Sequence, residues 1–528
     1  MLRRLHLFHR WAGILLCAFF ATWFFSGLFM MYVEFPSLTR PERLASAAEL
    51  TFSHARLSPC RAACPLPAGD FAVHGTPTGN EPLLIADPTA PAKIDSVRLA
   101  QILGRPAYVA TSGAAQPVVV FADTGEKLGR VTVAQAERIA RTFAPEYDPR
   151  FLATVQSDQW VVSSALNAHR PLHVFALDDA AATELYVSSS TGEVVRDSTR
   201  LERALNYFAA VTHWIYPHVL RQFPDAWAWV VDIAAAAGCV LAISGLWVGV
   251  LRARRQGLKS KSSPLKSPHQ RLLRWHYVTG GAFGLVTLTW VFSGWMSMNP
   301  GKLNPPRTPS AAQSAVFAGH AFALRDFNAL PVLPPGTVEA ELLHYDGQPL
   351  YLVTARDGAA TLVSSGARAE FHPPTTEALI ARAPALLPGA PLIEVRILTT
   401  YDNYYYTRHP ERGTMPLPAV RVRFGDADAT WFHFDPATGR ILNKSTATNR
   451  LFRHLYNGLH SFDWWWLWSR RPLWDITVIF FSLGGLSLSL LGVVLGVRRL
   501  CHEFRKPAQR SIVGNAPDAQ SNKAIAIP

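Results

Sequence analysis

Four stretches of this chain, at residues 8–33, 227–251, 275–298 and 474–497, are long and apolar enough to cross a bilayer. None carries a lysine or arginine in its middle. Of the 528 residues, 49% are apolar and 17% charged, a lower charged share than soluble chains of this size usually show. The chain reads as an integral membrane protein. The expected layout places transmembrane helices at 1–33, 227–251, 275–298 and 474–497, and outer domains at 34–226 and 299–473. A basic loop at 252–274 and a tail at 498–528 complete it.

The first apolar segment has a basic front in Arg3, Arg4 and Arg10. Its apolar stretch is too long for a secretory signal and no cleavage pattern follows it closely, so it reads as an uncleaved anchor. Arg252, Arg254, Arg255, Lys259, Lys261, Lys266, Arg271 and Arg274 crowd one loop without an acid, and Arg498, Arg499, Arg505, Lys506 and Arg510 follow the last helix. Positive residues stay in the cytoplasm, so both termini and this loop are expected there. The net charge of +13 then reports topology. No basic face on a soluble domain suggests a nucleic-acid partner.

The two long connections alternate apolar runs with turn residues, as in "QPVVVFADTGEKL" and "ATWFHFDPATGRIL", and carry short helices such as "TVAQAERIARTF". They read as α+β domains. Cys60 and Cys64 in "CRAAC" suit a local disulfide on an oxidising side of the membrane, while zinc-ligand spacings are absent. Asp232 and Asp475 are expected as helix N-caps, and the run "DWWWLW" as an interfacial aromatic belt.

The chain also repeats itself. A shift of 267 residues brings Arg4, Leu5, His9, Gly13, Thr22, Trp23, Phe25, Ser26, Gly27 and Met31 onto identical residues from Arg271 to Met298. A shift of 247 brings His213 onto His460, Gly245 onto Gly492, Gly249 onto Gly496 and Arg252 onto Arg499. "GRPAYVAT" at Gly104 resembles "GQPLYLVT" at Gly347. The unit is helix, outer domain, helix, twice. Both copies begin on one side, so the repeat is parallel, with a pseudo-two-fold axis along the membrane normal. His9 is then expected to face His276 near one surface, and His213 to face His460 near the other.

A single histidine at a membrane interface is most simply a satisfied polar residue. Two symmetric pairs suggest a metal ion, a proton path or haem. Zinc wants further ligands, which the apolar windows do not offer, and a proton path wants buried acids, which the middles of the helices lack. Haem needs one imidazole on each face, apolar walls and small residues, for which Gly13 and Gly280 are candidates. No CxxCH attachment motif and no GxGxxG dinucleotide fingerprint occur.

The segments "HRWAG…WFFSG" from His9 and "RWHYVTGG…WVFSG" from Arg274, with the His213 and His460 segments and their final helices, resemble the PepSY-associated transmembrane family of bacterial inner-membrane proteins. These are often described as iron-regulated membrane proteins. The resemblance implies an inner-membrane location, PepSY-like periplasmic domains and two haems b with His9, His276, His213 and His460 as axial ligands. It also implies a metalloreductase acting on a ferric siderophore, with a quinol or a cytoplasmic reductase as electron donor. This chain departs from the pattern in "WHYVTG", and in "VTHWIYPHVL", where His218 competes with His213. Tyr404, Tyr405, Tyr406 and Arg408 are candidates to dock an anionic chelate, and no acid–base or nucleophilic catalytic residue is required. The rival expectation is a peptide- or peptidase-binding regulatory protein without redox activity; a permease is disfavoured by the apolar helix interiors.

Overall fold

The computed structural model describes residues 2–50, 57–63, 94–113, 115–257, 268–365 and 373–513. Four long helices occupy the apolar windows: α1 (Leu2–Met30), α2 (Pro224–Gly257), α3 (Pro268–Met296) and α4 (Leu473–Val513). Proline opens α2 and α3, where its missing N–H has no intrahelical partner to lose. Among the described residues, α1, α2 and α4 contain spans long and apolar enough to cross a membrane, at Arg3–Met30, Pro224–Arg254 and Leu473–Phe504. Helix α3 matches α1 in length, at 29 residues each, but carries more hydroxyl and glycine positions. Its Thr287 and Ser293 hydroxyls donate to Phe283 and Trp290 carbonyls within the same helix, which removes the need for water.

The helices close a ring in which α1 touches α2 and α4, and α3 touches the same two. Helices α1 and α3 therefore stand on a diagonal. Where aromatic rings fill the centre, the opposing helix supplies glycine. A Cβ on Gly238 would meet Phe20 Cε1 at 2.9 Å, and Phe24 presses on Gly485 in the same way. Hydrogen bonds at one end tie neighbouring helices: Trp295 Nε1 donates to Asp232 at 3.1 Å, and Tyr32 Oη to Asp475 at 2.9 Å. These contacts correct the N-cap expectation. Asp232 lies inside α2, well past Pro224, and Asp475 lies inside α4, paired with Arg471 at 2.5 Å.

The connections hold fourteen strands among the described residues. Strands β1 (Ser96–Ile102), β2 (Arg105–Thr111), β3 (Val118–Phe121), β4 (Arg150–Val155), β5 (Leu172–Ala176), β6 (Glu184–Ser188) and β7 (Val194–Ser198) precede α2. Strands β8 (Thr337–Tyr345), β9 (Gln348–Ala355), β10 (Ala360–Ser364), β11 (Leu392–Leu398), β12 (Ala419–Phe424), β13 (Trp431–Phe434) and β14 (Ile441–Ser445) follow α3. Each connection has its own four-stranded sheet, β4-β5-β6-β7 or β11-β12-β13-β14. Corresponding turns repeat: Asp179 accepts from the Thr183 N–H and hydroxyl, as Asp426 does from Thr430, each at 2.6–2.7 Å. Thr199 and Thr446 cap the helices that follow, with matching capping boxes.

The first strands of the two connections do not stay separate. They merge in one six-stranded sheet, ordered β10-β9-β8-β1-β2-β3, with β1 antiparallel to β8 at its centre. Arg98 lies opposite Glu341, flanked by Val97 opposite Leu342 and Leu99 opposite Ala340. A shift of 243 residues exchanges the members of that register. Leu99, Tyr108, Ala340, Leu342 and Tyr351 form one buried cluster across the seam, and each buried leucine there contributes about 1.5–3 kcal/mol. Ion pairs repeat with charges exchanged: Arg98 with Glu193 in the β6–β7 turn, and Glu341 with Arg440 in the β13–β14 turn at 2.8 Å. Cys64, one half of the expected disulfide, lies outside the described residues.

Candidate cofactor-binding sites

Helix α1 carries His9 near its start, and α3 carries His276 at the corresponding point. Because α1 and α3 are diagonal, both rings point into the ring of helices, with centroids 6.4 Å apart and planes inclined by 38°. At the strand-bearing end, His213 closes the short helix Ala210–His213, and His460 lies in the short helix Leu459–Ser461. Their centroids are 6.0 Å apart and their planes inclined by 65°. His218 opens a separate turn, where its N–H donates to Gln159 Oε1 at 2.9 Å. The chain therefore brings His213, and not His218, to His460.

The "FSG" element found in both halves explains how these rings are held. Ser26 Oγ lies 3.0 Å from His213 Nδ1, and Ser293 Oγ lies 3.2 Å from His460 Nδ1. The neighbouring glycines leave space for the rings. A Cβ on Gly27 would sit 3.5 Å from His213 Cε1, and one on Gly294 would sit 3.3 Å from His460 Cε1. At the other end Ser244 Oγ lies 3.0 Å from His9 Nδ1, and a Cβ on Gly245 would meet His9 Cε1 at 2.7 Å. For His276 the symmetric glycine is Gly492, whose Cβ would be 3.8 Å from its Cε1, but Leu491 stands where Ser244 does. With Nδ1 engaged on His9, His213 and His460, Nε2 is the ring nitrogen left to bind a ligand. Ser26, Ser293 and the glycines match in the repeat and Ser244 does not; that they hold the rings emerges only from the fold.

Each pair opens on a cavity. His9 and His276 line one of about 1110 Å³, together with Gly13, Gly280, Arg3, Arg10, Arg252 and Arg499; among the described residues, none that lines it is acidic. His213 and His460 line one of about 740 Å³, with Trp23, Trp290, Arg307, Arg408, Arg453 and Asp463. Phe20 lines both. Eighteen residues separate His9 from Gly27, and His276 from Gly294; at about 1.5 Å per residue this is roughly 27 Å, close to the thickness of a bilayer core. His213 and His460 lie outside the spans, and burial holds both imidazoles neutral, pushing His213 down to about 3 and His460 to about 4.

Two expectations change in the strand-side cavity. Tyr404, Tyr406 and Arg408 line it, but Tyr405 does not: it is fully buried, donates to the Pro416 carbonyl at 2.6 Å and stacks on His433. Asp463, which the sequence offers only as the start of a tryptophan run, is a buried acid of the wall. It accepts from Tyr406 Oη at 2.5 Å and pairs with Arg408 at 3.2 Å. The tryptophans beside it divide: the Trp464 indole packs on Gly458, whereas Trp466 is exposed.

Long apolar helices joined through sheet-forming connections define a multi-pass membrane protein with β-sheet domains. The chain belongs to the family of the PepSY-associated TM region, whose model matches residues 7–344. His9, His213 and His276 fall within the matched segment and His460 beyond it. No curated protein matches the sequence.

Proposed function

We propose that the protein is a b-type haem electron-transfer protein of the bacterial inner membrane, which reduces a ferric siderophore or a related iron(III) chelate in the periplasm. The observation that carries this reading is the pair of facing histidine pairs, each open to a cavity, about one membrane thickness apart. An imidazole nitrogen lies about 2 Å from a ligated first-row ion and about 1 Å from its own ring centre, so two imidazoles on opposite sides of one ion have centroids roughly 6 Å apart. The separations of 6.4 and 6.0 Å fit that requirement. His9 with His276 would hold one haem b, and His213 with His460 a second.

Bound haem supplies reversible one-electron chemistry. The chain supplies the rest. Ser26, Ser244 and Ser293 orient the ligand rings, and glycines let them lie against the helices. Arginines in both cavities suit carboxylate groups. Phe20, packed between the cavities, excludes water from the middle. Around Arg307, Arg408 and Arg453 the strand-side mouth is net basic, as an anionic chelate requires. Iron(II) is a softer ion than iron(III) and is poorly held by hard oxygen ligands, so one-electron reduction releases it.

The architecture that accompanies this reading has four transmembrane helices, α3 included, in a duplicated helix–domain–helix arrangement about a parallel pseudo-two-fold axis. The self-exchanging β1–β8 register and the matched turns support the duplication. The basic loop and tail support a cytoplasmic location for both termini; the electron donor in this reading is a quinol or a cytoplasmic reductase. To test the function, chemically reduced protein in detergent is mixed with a ferric siderophore and a ferrous chelator. Reoxidation with trapped iron(II), lost in His460→Ala, is expected. Oxidation by oxygen alone, unaccelerated by any ferric chelate, would overturn the choice of acceptor.

A further inference from the structure

Away from both histidine cavities, His320, Asp326 and His344 form a group whose ligand atoms all lie within 4.8 Å of one another. The chain assembles it from two turns and the end of a strand. The helix Ala311–Ala318 ends at Gly319, which has φ +104° and lies so close to the β8–β9 turn that a Cβ would be 2.3 Å from the Gly347 nitrogen. Gly347 N–H donates to the Ala318 carbonyl at 2.7 Å, fixing the approach. Only glycine satisfies both the dihedral and the contact. His320, the next residue, is thereby set beside His344 near the end of β8, with ring centroids 4.4 Å apart. Asp326 comes from the short helical turn Leu324–Asp326.

The distances and the tautomer of His320 suit a metal ion, and His344 Nε2 would give up its proton and its hydrogen bond to Asp326 to take one. His344 Nε2 is 3.1 Å and His320 Nε2 is 3.7 Å from Asp326 Oδ2. Ligands held at about 2.0–2.2 Å in tetrahedral geometry lie about 3.3 Å from one another, between those two values. His320 Nδ1 donates to the Ala321 carbonyl at 2.7 Å, which fixes the tautomer and leaves Nε2 with its lone pair toward Asp326. Phe322 and Phe327 pack against the buried His344 ring at 5.5 and 5.0 Å and make an apolar back wall. The other side is open: the His320 side chain is 41% exposed and that of Asp326 31%. Three protein ligands with an open face are the arrangement of a site that retains a water or takes an exogenous ligand. In the first half of the chain Gln101 stands where His344 does, so the repeat itself does not require the group.

We propose that His320, Asp326 and His344 form a binding site for one first-row divalent cation of borderline softness, such as zinc or iron(II), with a coordination position open to solvent. Two imidazoles and one carboxylate disfavour calcium and magnesium, which prefer oxygen ligands throughout. The site is independent of the histidine pairs.

The test uses the full-length protein in detergent, stripped with a chelator and titrated with cobalt(II) as a spectroscopic probe. One equivalent is expected to bind with visible bands of nitrogen and oxygen coordination, and to be displaced by zinc(II). His320→Ala and Asp326→Asn change exposed ligands, so folding is monitored by circular dichroism and neither should disturb it. Each should weaken cobalt binding at least about 100-fold, beyond the usual range for losing an outer-sphere partner. Undiminished binding in either variant would overturn the assignment. So would a wild-type protein that binds cobalt no better than the double variant.

Discussion

Gly245→Ala adds one methyl group to a helix, yet it should empty a cofactor site. A Cβ at this position would lie 2.7 Å from His9 Cε1, whereas unstrained carbon atoms sit about 3.5–4.0 Å apart. The imidazole must therefore retreat by about 1 Å, while a metal ligand tolerates about 0.2 Å. Ser244, bonded to Nδ1 at 3.0 Å, opposes the movement. Alanine is a better helix former than glycine by about 1 kcal/mol, and overpacking costs about 1–3 kcal/mol, so global stability should change by no more than about 2 kcal/mol. Haem content should instead fall from two to one per chain. The same substitution at other glycines gives a graded control. Gly294→Ala, with a contact of 3.3 Å to His460 Cε1, should perturb the spectrum partially; Gly27→Ala, at 3.5 Å from His213, should be tolerated. Gly129→Ala, in the first outer domain with nothing within 4 Å and lining neither cavity, should be silent. Haem is measured against protein by its reduced pyridine spectrum. Full haem content in Gly245→Ala, or equal losses in Gly245→Ala and Gly129→Ala, would refute the reasoning.

Two predictions concern the sheet domains. Arg98→Ala leaves Glu193, whose carboxylate is only 14% exposed at the sheet seam, without its ion-pair partner, while Glu339 keeps Arg43 at 2.6 Å; thermal unfolding should show a loss of about 2–4 kcal/mol. Arg440→Ala removes the more exposed counterpart and should change stability by no more than about 1 kcal/mol, and equal losses would contradict the difference in burial. Burial, reinforced by Glu42 and Glu202, pushes Asp197 up to about 6 from 3.8. A raised carboxyl pKa stabilises the fold while protonated, and that stability is lost as pH rises through about 4 to 6. Asp197→Asn should therefore raise the melting temperature at pH 7, by an amount worth about 1 kcal/mol after solvent screening, and the gain should vanish below pH 4. A gain that persists unchanged at low pH would contradict the cause.

Apolar length and internal identity were enough to read the helices, because both properties are local or survive duplication. The facing of His9 with His276 and His213 with His460 followed from the repeat alone. The six-stranded sheet did not. β1 and β8 each read as a buried strand, but nothing local in either says that its partner lies more than two hundred residues away. Tyr405 failed for a related reason: three consecutive tyrosines look alike in sequence, and only the packing on His433 sends the middle one inward. Asp463 was hidden by the tryptophans around it, and Asp232 by its place near a helix start. The group His320, Asp326 and His344 has no recognisable spacing, since a glycine contact between two turns assembles it.

The central claim is tested most directly by haem stoichiometry in the purified full-length protein and its histidine variants, expressed in haem-supplied cells. The account predicts two noncovalent b-type haems per chain with low-spin spectra. His9→Ala or His276→Ala should remove one, His213→Ala or His460→Ala the other, and His218→Ala neither. Colourless wild-type protein, or a His218→Ala variant as damaged as His213→Ala, would contradict it.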